Sequence, residues 1–575
     1  MAQGTYVFEV DWDDNGSFTD TGEDVTARTL SLRFARGRDN SSSLSARSVA
    51  GRLFATLDND SGDYSPFNSA SPLFGNLLPR RRCRVRITAP VAGTLWTGWI
   101  KAILPTSRAG PEKRVTLEAS GALGFAGDHE VTISMQTSIR TDEALDAILD
   151  SVGWKASVVI TSSSVANPSN ILTAAAHGLA TGEEVNISGH SGSTPDINGT
   201  HVATVVDGTN FTIPVNVTVG GTGGRIGDRN LSTGLTTMTR WWTDQRALSA
   251  MREVETTEGG FIKEDKDGSI AFEGRHFRLT DAKSTTSQKT FSDNPPATLP
   301  FLTITEEDPL PFIFNDFRAD VTIYTVGAEA VLWTLAATGA DSPKVEPGVT
   351  AVFVASYPVP DSPTDDIAVD AWSALVENTD YEANSQAGGG GDDKSGSLTV
   401  SVTKYSTTQL ISITNNDSAA VFLTLLQAKG TPVSASDPVK RVASDATSQA
   451  AYEKRTWPSP TPFLPDVDEA LEWCNSQLSL FKDPLALVAI TYFASQDTNA
   501  FTAMNDLDLS HRITLDADGN AGLGINGAFL IEAERHVIDS AFNHQVTYLL
   551  SPIESYAGFW TLDVSKLDTE TKLQY

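Results

Sequence analysis

Apolar and polar positions along this chain alternate mostly with period two. Short runs rich in β-branched and aromatic residues are separated by Gly, Pro, Asn and Asp, the pattern of antiparallel strands joined by turns. Residues 5–11 and 29–36 open the chain with strand-like stretches, and within residues 51–58 Leu53, Ala55 and Leu57 share one face of a half-buried strand. In residues 82–87 the same period puts Cys83, Val85 and Ile87 on a core face and Arg82, Arg84 and Arg86 on the other. The arginine face is either a solvated strand face or a grip on another subunit or on acidic neighbours. Residues 93–104 add an aromatic strand in which Trp96 and Trp99 fill space.

Helical spacing occurs in three places. Residues 141–152 place Leu145, Ile148, Leu149 and Val152 on one face, with Thr141 as the cap and Gly153 as the stop. Residues 243–257 place Leu248, Met251 and Val254 or Glu255 at turn spacing before Gly259-Gly260. Residues 466–481 repeat Val467, Ala470, Leu471, Cys474 and Leu478, with Pro484 as terminator. From 157 to 227 Lys and Arg nearly vanish and short Thr/Val-rich stretches alternate with turns such as Asp207-Gly208-Thr209-Asn210, which predicts an inserted β-module. A second all-β block, 326–432, contains Gly388-Gly389-Gly390-Gly391-Asp392-Asp393. This run reads as a flexible loop, because a phosphate-binding loop ends in Gly-Lys-Ser or Gly-Lys-Thr.

The length of 575 residues corresponds to about three to five domains. The reading is a mainly β, multidomain chain of β-barrels with a few helices and inserted β-modules. Its units are an N-terminal barrel with a terminal helix (1–156), the inserted module (157–227), a helix plus hairpin (228–325), a second β-rich unit (326–435), and a helix with closing strands (436–575). Hydrophobic residues at 40% and charged residues at 20% exclude wholesale disorder. No run of 18 apolar residues and no basic, apolar leader occur, so assembly in the cytosol without stable membrane insertion is expected. Cys83 and Cys474 match no metal or redox spacing and read as buried free thiols. The net charge of −30 opposes tight binding to nucleic acid or anionic lipid. An acidic surface serves solubility, or a conduit through which DNA slides without sticking.

Candidate chemistry is sparse. Asp11-Trp12-Asp13-Asp14-Asn15-Gly16-Ser17 matches the first half of a calcium loop, but position twelve is Gly22 where a bidentate Glu is required. The stretch therefore reads as a polar hairpin turn, with calcium binding left open. Glu264-Asp265-Lys266-Asp267-Gly268 and Asp516-Ala517-Asp518-Gly519 read as tight turns. The sequence has neither a His-Glu-x-x-His pattern nor a Gly-x-Ser-x-Gly elbow. Acid pairs such as Glu306-Glu307-Asp308 and Asp365-Asp366 are expected by chance among 72 Asp and Glu residues. No catalytic residue, metal ligand or cofactor is assigned, and a non-enzymatic protein is expected.

Three stretches carry a family likeness. The first runs from Leu57-Asp58-Asn59 and Arg36-Gly37-Arg38-Asp39-Asn40 to Tyr64-Ser65-Pro66-Phe67-Asn68 and on to Pro79. The second is the phrase from Ala247-Leu248 to Glu258-Gly259-Gly260-Phe261, followed by the hairpin from Asp267-Gly268 to Arg275-His276. The third joins Ile531-Glu532 to His536, His544-Gln545-Val546 to Pro552, and Phe559-Trp560-Thr561-Leu562. Together they resemble the tail-tip or baseplate-hub proteins of long-tailed, siphovirus-like bacteriophages. Residues 170–224, including Ala176-His177-Gly178-Leu179 and Ile197-Asn198-Gly199-Thr200, resemble the first catalytic-cysteine half-domain of ubiquitin-activating enzymes. That stretch contains no cysteine, which implies a decoration without ubiquitin chemistry.

The phage resemblance implies a hub of paired barrels, a homotrimer around the tail axis of the virion that forms part of the DNA channel. Its implied partners are distal tail and tube proteins, the tape measure, and a spike or fibre, with only transient passage of DNA. Two other functions are compatible with the chain. A receptor- or carbohydrate-binding module is suggested by the two β-rich inserts and Trp241-Trp242, unless those rings are packed inside. A tail-associated peptidoglycan hydrolase is suggested by tail location alone.

Overall fold

The period-two stretches at the two ends of the chain meet in one sheet. The computed structural model describes residues 4–38, 47–107, 113–154, 158–179, 181–182, 184–294, 299–306, 310–335, 339–358, 366–457, 462–484, 487–519 and 522–553. Asp39, Asn40, Ala180, Glu183, Glu307, Asp308, Asp365 and Phe559 to Leu562 lie outside the described residues. Strands Thr5–Val10, Arg82–Ala89, Gly93–Ser107, Lys113–Ser120, Ser48–Asp58, Thr29–Arg38, Ile525–Ile538, His544–Pro552, Val488–Phe493 and Thr303–Glu306 follow one another in a twelve-stranded sheet. Arg512–Ala517 and Thr290–Ser292 complete it.

The seam between N- and C-terminal strands is antiparallel, with Leu32 opposite Ile538 and Gly37 opposite Ala533. Gly37 has φ +103°, and a Cβ there would lie 2.5 Å from the Glu532 carbonyl oxygen, so the close approach requires glycine. Tyr6, on the first strand, reaches the closing strands through a 2.9 Å hydrogen bond between its hydroxyl and His544 Nδ1. Leu53, Ala55 and Leu57 are fully buried, and they share one core with Val85, Trp96, Tyr492, Ile531 and Leu550. Cys83 lies in that core and Cys474 in the one around the last long helix; both are free and buried. Burial pushes the Cys83 thiol far up and the Cys474 thiol up to about 11.

A second core is helical. Thr141–Ser151 and Ala247–Glu258 pack Leu145, Ile148, Met251 and Val254 against strands Glu130–Arg140 and Thr237–Arg246. Three local expectations fail. Thr141 does not cap its helix; it is the first helical residue, and its hydroxyl donates to Glu258 at 2.7 Å. The second helix begins at Ala247 because Gln245 and Arg246 stay in the strand opposite Val131 and Glu130. In Val467–Phe481 Ala470 and Cys474 face inward as expected, but Trp473 joins them while Leu471 faces outward, because this helix packs on the Asp316–Val321 and Val439–Ser444 pair. Asp466 caps it, accepting the Asp468 and Glu469 amides.

The stretch from Val158–Ser163 to Arg225–Ile226 forms its own seven-stranded sheet around Ile171, Ile187, Phe211 and Ile213. The second β block centres on Val421–Ala435, which pairs with several shorter strands and packs on a three-stranded sheet, Thr350–Ser356, Thr408–Asn415 and Leu398–Lys404. Its glycine run is exposed from Gly388 to Gly390 and anchored at both ends by one side chain. Asn384 Oδ1 accepts the Gln386 and Gly391 amides at 3.0 and 2.8 Å, and Asn384 Nδ2 donates to the Gly391 carbonyl. Two pairings depart from the antiparallel expectation. Arg229–Leu231 runs parallel to Ile270–Glu273, and Thr290–Ser292 parallel to Arg512–Ala517; in each case a long intervening segment supplies the crossover. No helix among the described residues is long and apolar enough to cross a membrane.

Candidate functional site: a buried charge junction and an acidic loop

The strands Phe261–Glu264 and Ile270–Glu273 are buried throughout although they carry Lys263, Glu264 and Glu273. Such groups are tolerated inside only when paired. Lys263 Nζ sits 2.8 Å from Glu273 and donates to the Leu509 carbonyl at 3.2 Å. Glu264 accepts the Gly51 and Leu123 amides at 2.9 and 2.7 Å; burial nevertheless pushes it up to about 7.

Around this hairpin the ends of the chain converge. Arg36 donates to Glu534 at 2.6 Å, to Asp508 at 2.6 Å and to the Glu264 carbonyl at 2.8 Å. Arg278 holds Glu532 in a two-point contact at 2.7 and 3.0 Å, and Ser510 bridges Arg278 to Glu273. Burial by itself raises Glu532 and Glu534. The Arg278 and Arg38 guanidiniums reverse this at Glu532, and Arg36 with Lys266 does so at Glu534, bringing each down to about 2. Asp508 is held far below the carboxylate range against the same burial, by Arg36, Lys263 and Lys266. Glu258, from the Glu-Gly-Gly phrase, is fully buried and receives the Thr141 hydroxyl and the Leu235 and Thr236 amides.

The arginine face of Arg82–Ala89 grips an acid of the same chain. Arg84 and Arg86 converge on Glu9 at 2.6 and 2.7 Å, and Arg84 stacks over Phe18 at 4.1 Å. Arg84 and Arg86 also line an open groove of about 1490 Å³ that includes Asn186, His201, Arg225 and Lys266. Across it Asn186 reaches Asp267 at 2.6 Å and ties the 158–226 sheet to the hairpin turn.

The stretch from Asp11 to Val25 is a series of turns that returns antiparallel to the first strand, with Glu9 opposite Asp24, Val10 donating to the Glu23 carbonyl at 2.9 Å and Val25 to the Phe8 carbonyl at 2.9 Å. Asp11, which is buried, accepts the Asn15 and Gly16 amides at 3.1 and 3.0 Å. Asp13 is exposed, and the buried Glu23 comes back to them, so that one oxygen of each carboxylate lies within 4.8 Å of the others. Burial, with the charges of Asp11, Asp13 and Asp20 added, pushes Glu23 up to about 7. Glu23 was not legible as a site residue because it stands one place beyond the twelfth position; the acid spacing from Asp11 to Asn15 was the available signal.

Other singled-out residues go elsewhere. Trp242 is fully buried, donating its Nε1–H to Glu253 at 3.0 Å, and Trp241 packs beside Met135, Ala368 and Val433. Trp242 is therefore closed to a sugar ring, and Trp241 is half-buried. Glu306 ends an exposed strand and Asp366 accepts the Tyr357 hydroxyl; Asp516 and Ala517, read as part of a tight turn, are the last residues of the strand Arg512–Ala517, opposite Asn526 and Ile525, and only Asp518 and Gly519 bend away after it.

No family model and no curated protein matches the sequence. Among solved structures, the chain is similar to a tail protein from Neisseria meningitidis MC58, at 10% identity over 96% of both chains with a TM-score of 0.43. It is also similar to a 43 kDa tail protein of a Shewanella oneidensis prophage, at 8% identity over 96% of this chain and 99% of that one, TM-score 0.43. An Escherichia coli type VI secretion component, described as structurally similar to bacteriophage T4 tail proteins, matches at 8% identity over 91% of this chain and 73% of its own, TM-score 0.35. At such identities no residue of this chain inherits a role from them.

Proposed function

We propose that this chain is a non-enzymatic structural component of a long-tailed bacteriophage, a hub at the distal tail tip that links the tail tube to a host-contacting spike or fibre. One observation carries the reading. The three sequence phrases that resemble hub proteins lie hundreds of residues apart and meet in a single buried junction, through Arg36 to Glu534, Arg38 to Glu532, and Arg38 over the Phe261 ring. The ion pairs of Arg36 with Asp508 and Glu534, and of Arg278 with Glu532, hold strands together at that junction. A sheet that joins strands from both ends of the chain suits a load-bearing ring, and additions such as the 158–226 and 324–435 sheets emerge between its strands where they cost little. In this reading the chain is a homotrimer, since a closed ring needs a heterologous contact repeated by rotation. It touches the tape measure and tube proteins and lets DNA pass without holding it. The 158–226 module is a carried β decoration.

Immunogold electron microscopy of particles containing this chain, with antibody against the 158–226 module, tests the assignment. Label confined to the distal end of the tail is expected. Label along the tube, on the capsid, or absent from particles overturns it.

A further inference from the structure

We propose that the loop from Asp11 to Glu23 is a divalent-cation site of calcium type, in which the carboxylates of Asp11, Asp13 and Glu23 supply the anionic oxygens. Two independent observations point to it. The first is proximity: one oxygen from each of the three carboxylates lies within 4.8 Å of the others. That is the upper limit for two oxygens that are each about 2.4 Å from a shared calcium ion, reached when they lie on opposite sides of it. The second is an unsatisfied atom. Glu23 is only 2% exposed; its Oε2 accepts the Asp20 amide at 2.8 Å, and its Oε1 has no hydrogen-bond partner. A buried carboxylate oxygen without a donor is costly, and a cation at the cluster removes that cost.

The sequence supports the same chemistry. Asp11, Asp13 and Asn15 alternate ahead of Gly16 as in a calcium loop, and the closing acid is displaced by one residue. Gly22, with φ +92°, occupies the twelfth position and turns the chain so that Glu23 comes inward. Two guanidiniums reach the loop: Arg81 contacts Asp14 at 2.9 Å and Arg84 stacks over Phe18 at 4.1 Å. Calcium fits better than magnesium, because an irregular set of carboxylates suits a flexible shell of six to eight oxygens and not a strict octahedron. Bound there, the ion pins the loop to the first strand, where Val10 already donates to the Glu23 carbonyl at 2.9 Å. The inference does not depend on the tail assignment.

The test uses the purified full-length protein, stripped with EDTA and titrated with Ca²⁺ alone and with Mg²⁺ alone by calorimetry, with thermal melts alongside. One saturable Ca²⁺ per chain, a higher Tm, and Mg²⁺ binding about tenfold weaker or more are expected. Glu23→Gln and Asp13→Asn are each expected to weaken Ca²⁺ binding about tenfold or more. Asp13 is exposed, so its variant folds whatever becomes of the buried one. Absence of saturable Ca²⁺ binding, Mg²⁺ binding as tight as Ca²⁺, or wild-type Ca²⁺ affinity in Asp13→Asn overturns the proposal.

Discussion

Glu532 and Glu23 are carboxylates of nearly equal burial, 1% and 2% exposed, yet they sit at opposite ends of the titration scale. Glu532 lies in the junction with Arg278 on both oxygens and the Ser551 hydroxyl at 2.6 Å, and is held down to about 2. Glu23 lies among Asp11, Asp13 and Asp20 and rises to about 7. Burial is common to both, so the sign is set by what the fold places beside each acid. In the junction a guanidinium is built in, and the result is a permanent weld. In the loop, where three acids crowd together, the place is left open to an ion from solution.

The largest effect should come from removing a built-in cation. Arg36→Met leaves the buried Glu534 and the half-buried Asp508 without that partner, and a loss of about 3–5 kcal/mol is expected in chemical denaturation. Arg36→Met combined with Glu534→Gln is expected to recover part of that loss, as a double-mutant cycle shows. A fully additive result breaks the claim that the pair acts as a unit.

Acid should separate the two regions next. Glu532 and Glu534 are depressed in the folded state, so their contribution is complete above the unfolded value, about 4.3. It is lost as pH falls through about 2. Melting temperature is expected to drop steeply between these values, with a shallower drop in Arg278→Met. An unchanged acid limb in that variant removes the junction as its cause.

Glu23 carries the opposite sign. Its folded value lies above its unfolded one, so stability is lost as pH rises from about 4.3 through about 7. With divalent ions chelated, Glu23→Gln is therefore expected to stabilise the protein by roughly 1–2 kcal/mol more at pH 8 than at pH 5. Equal effects at both pH values contradict a crowded, uncompensated carboxylate. The smallest effect belongs to Arg81→Ala, which breaks an ion pair whose Asp14 side chain is 62% exposed. A change of about 0.5 kcal/mol or less is expected in the same melts.

What the sequence determined alone is what repeats locally. Leu53, Ala55 and Leu57 fall on one side because a strand alternates its faces, and Met251, Val254 and Gly259 mark a helix and its end because helical neighbours lie three and four residues apart. Even there the ends depended on context: Gln245 and Arg246 join a strand because Glu130–Arg140 lies beside them, and Leu471 turns outward because the apolar partner faces Trp473. The pairing of Arg36 with Glu534 spans 498 positions, and no local spacing carries it; it exists because Thr29–Arg38 and Ile525–Ile538 are adjacent strands. The return of Glu23 to Asp11 and Asp13 likewise follows from Gly22 and from the Val10 to Glu23 backbone bond, which place the acid one residue later than a fixed motif allows. Periodicity records which face a residue occupies, whereas charge compensation is decided by which distant elements the tertiary structure brings within a few ångströms.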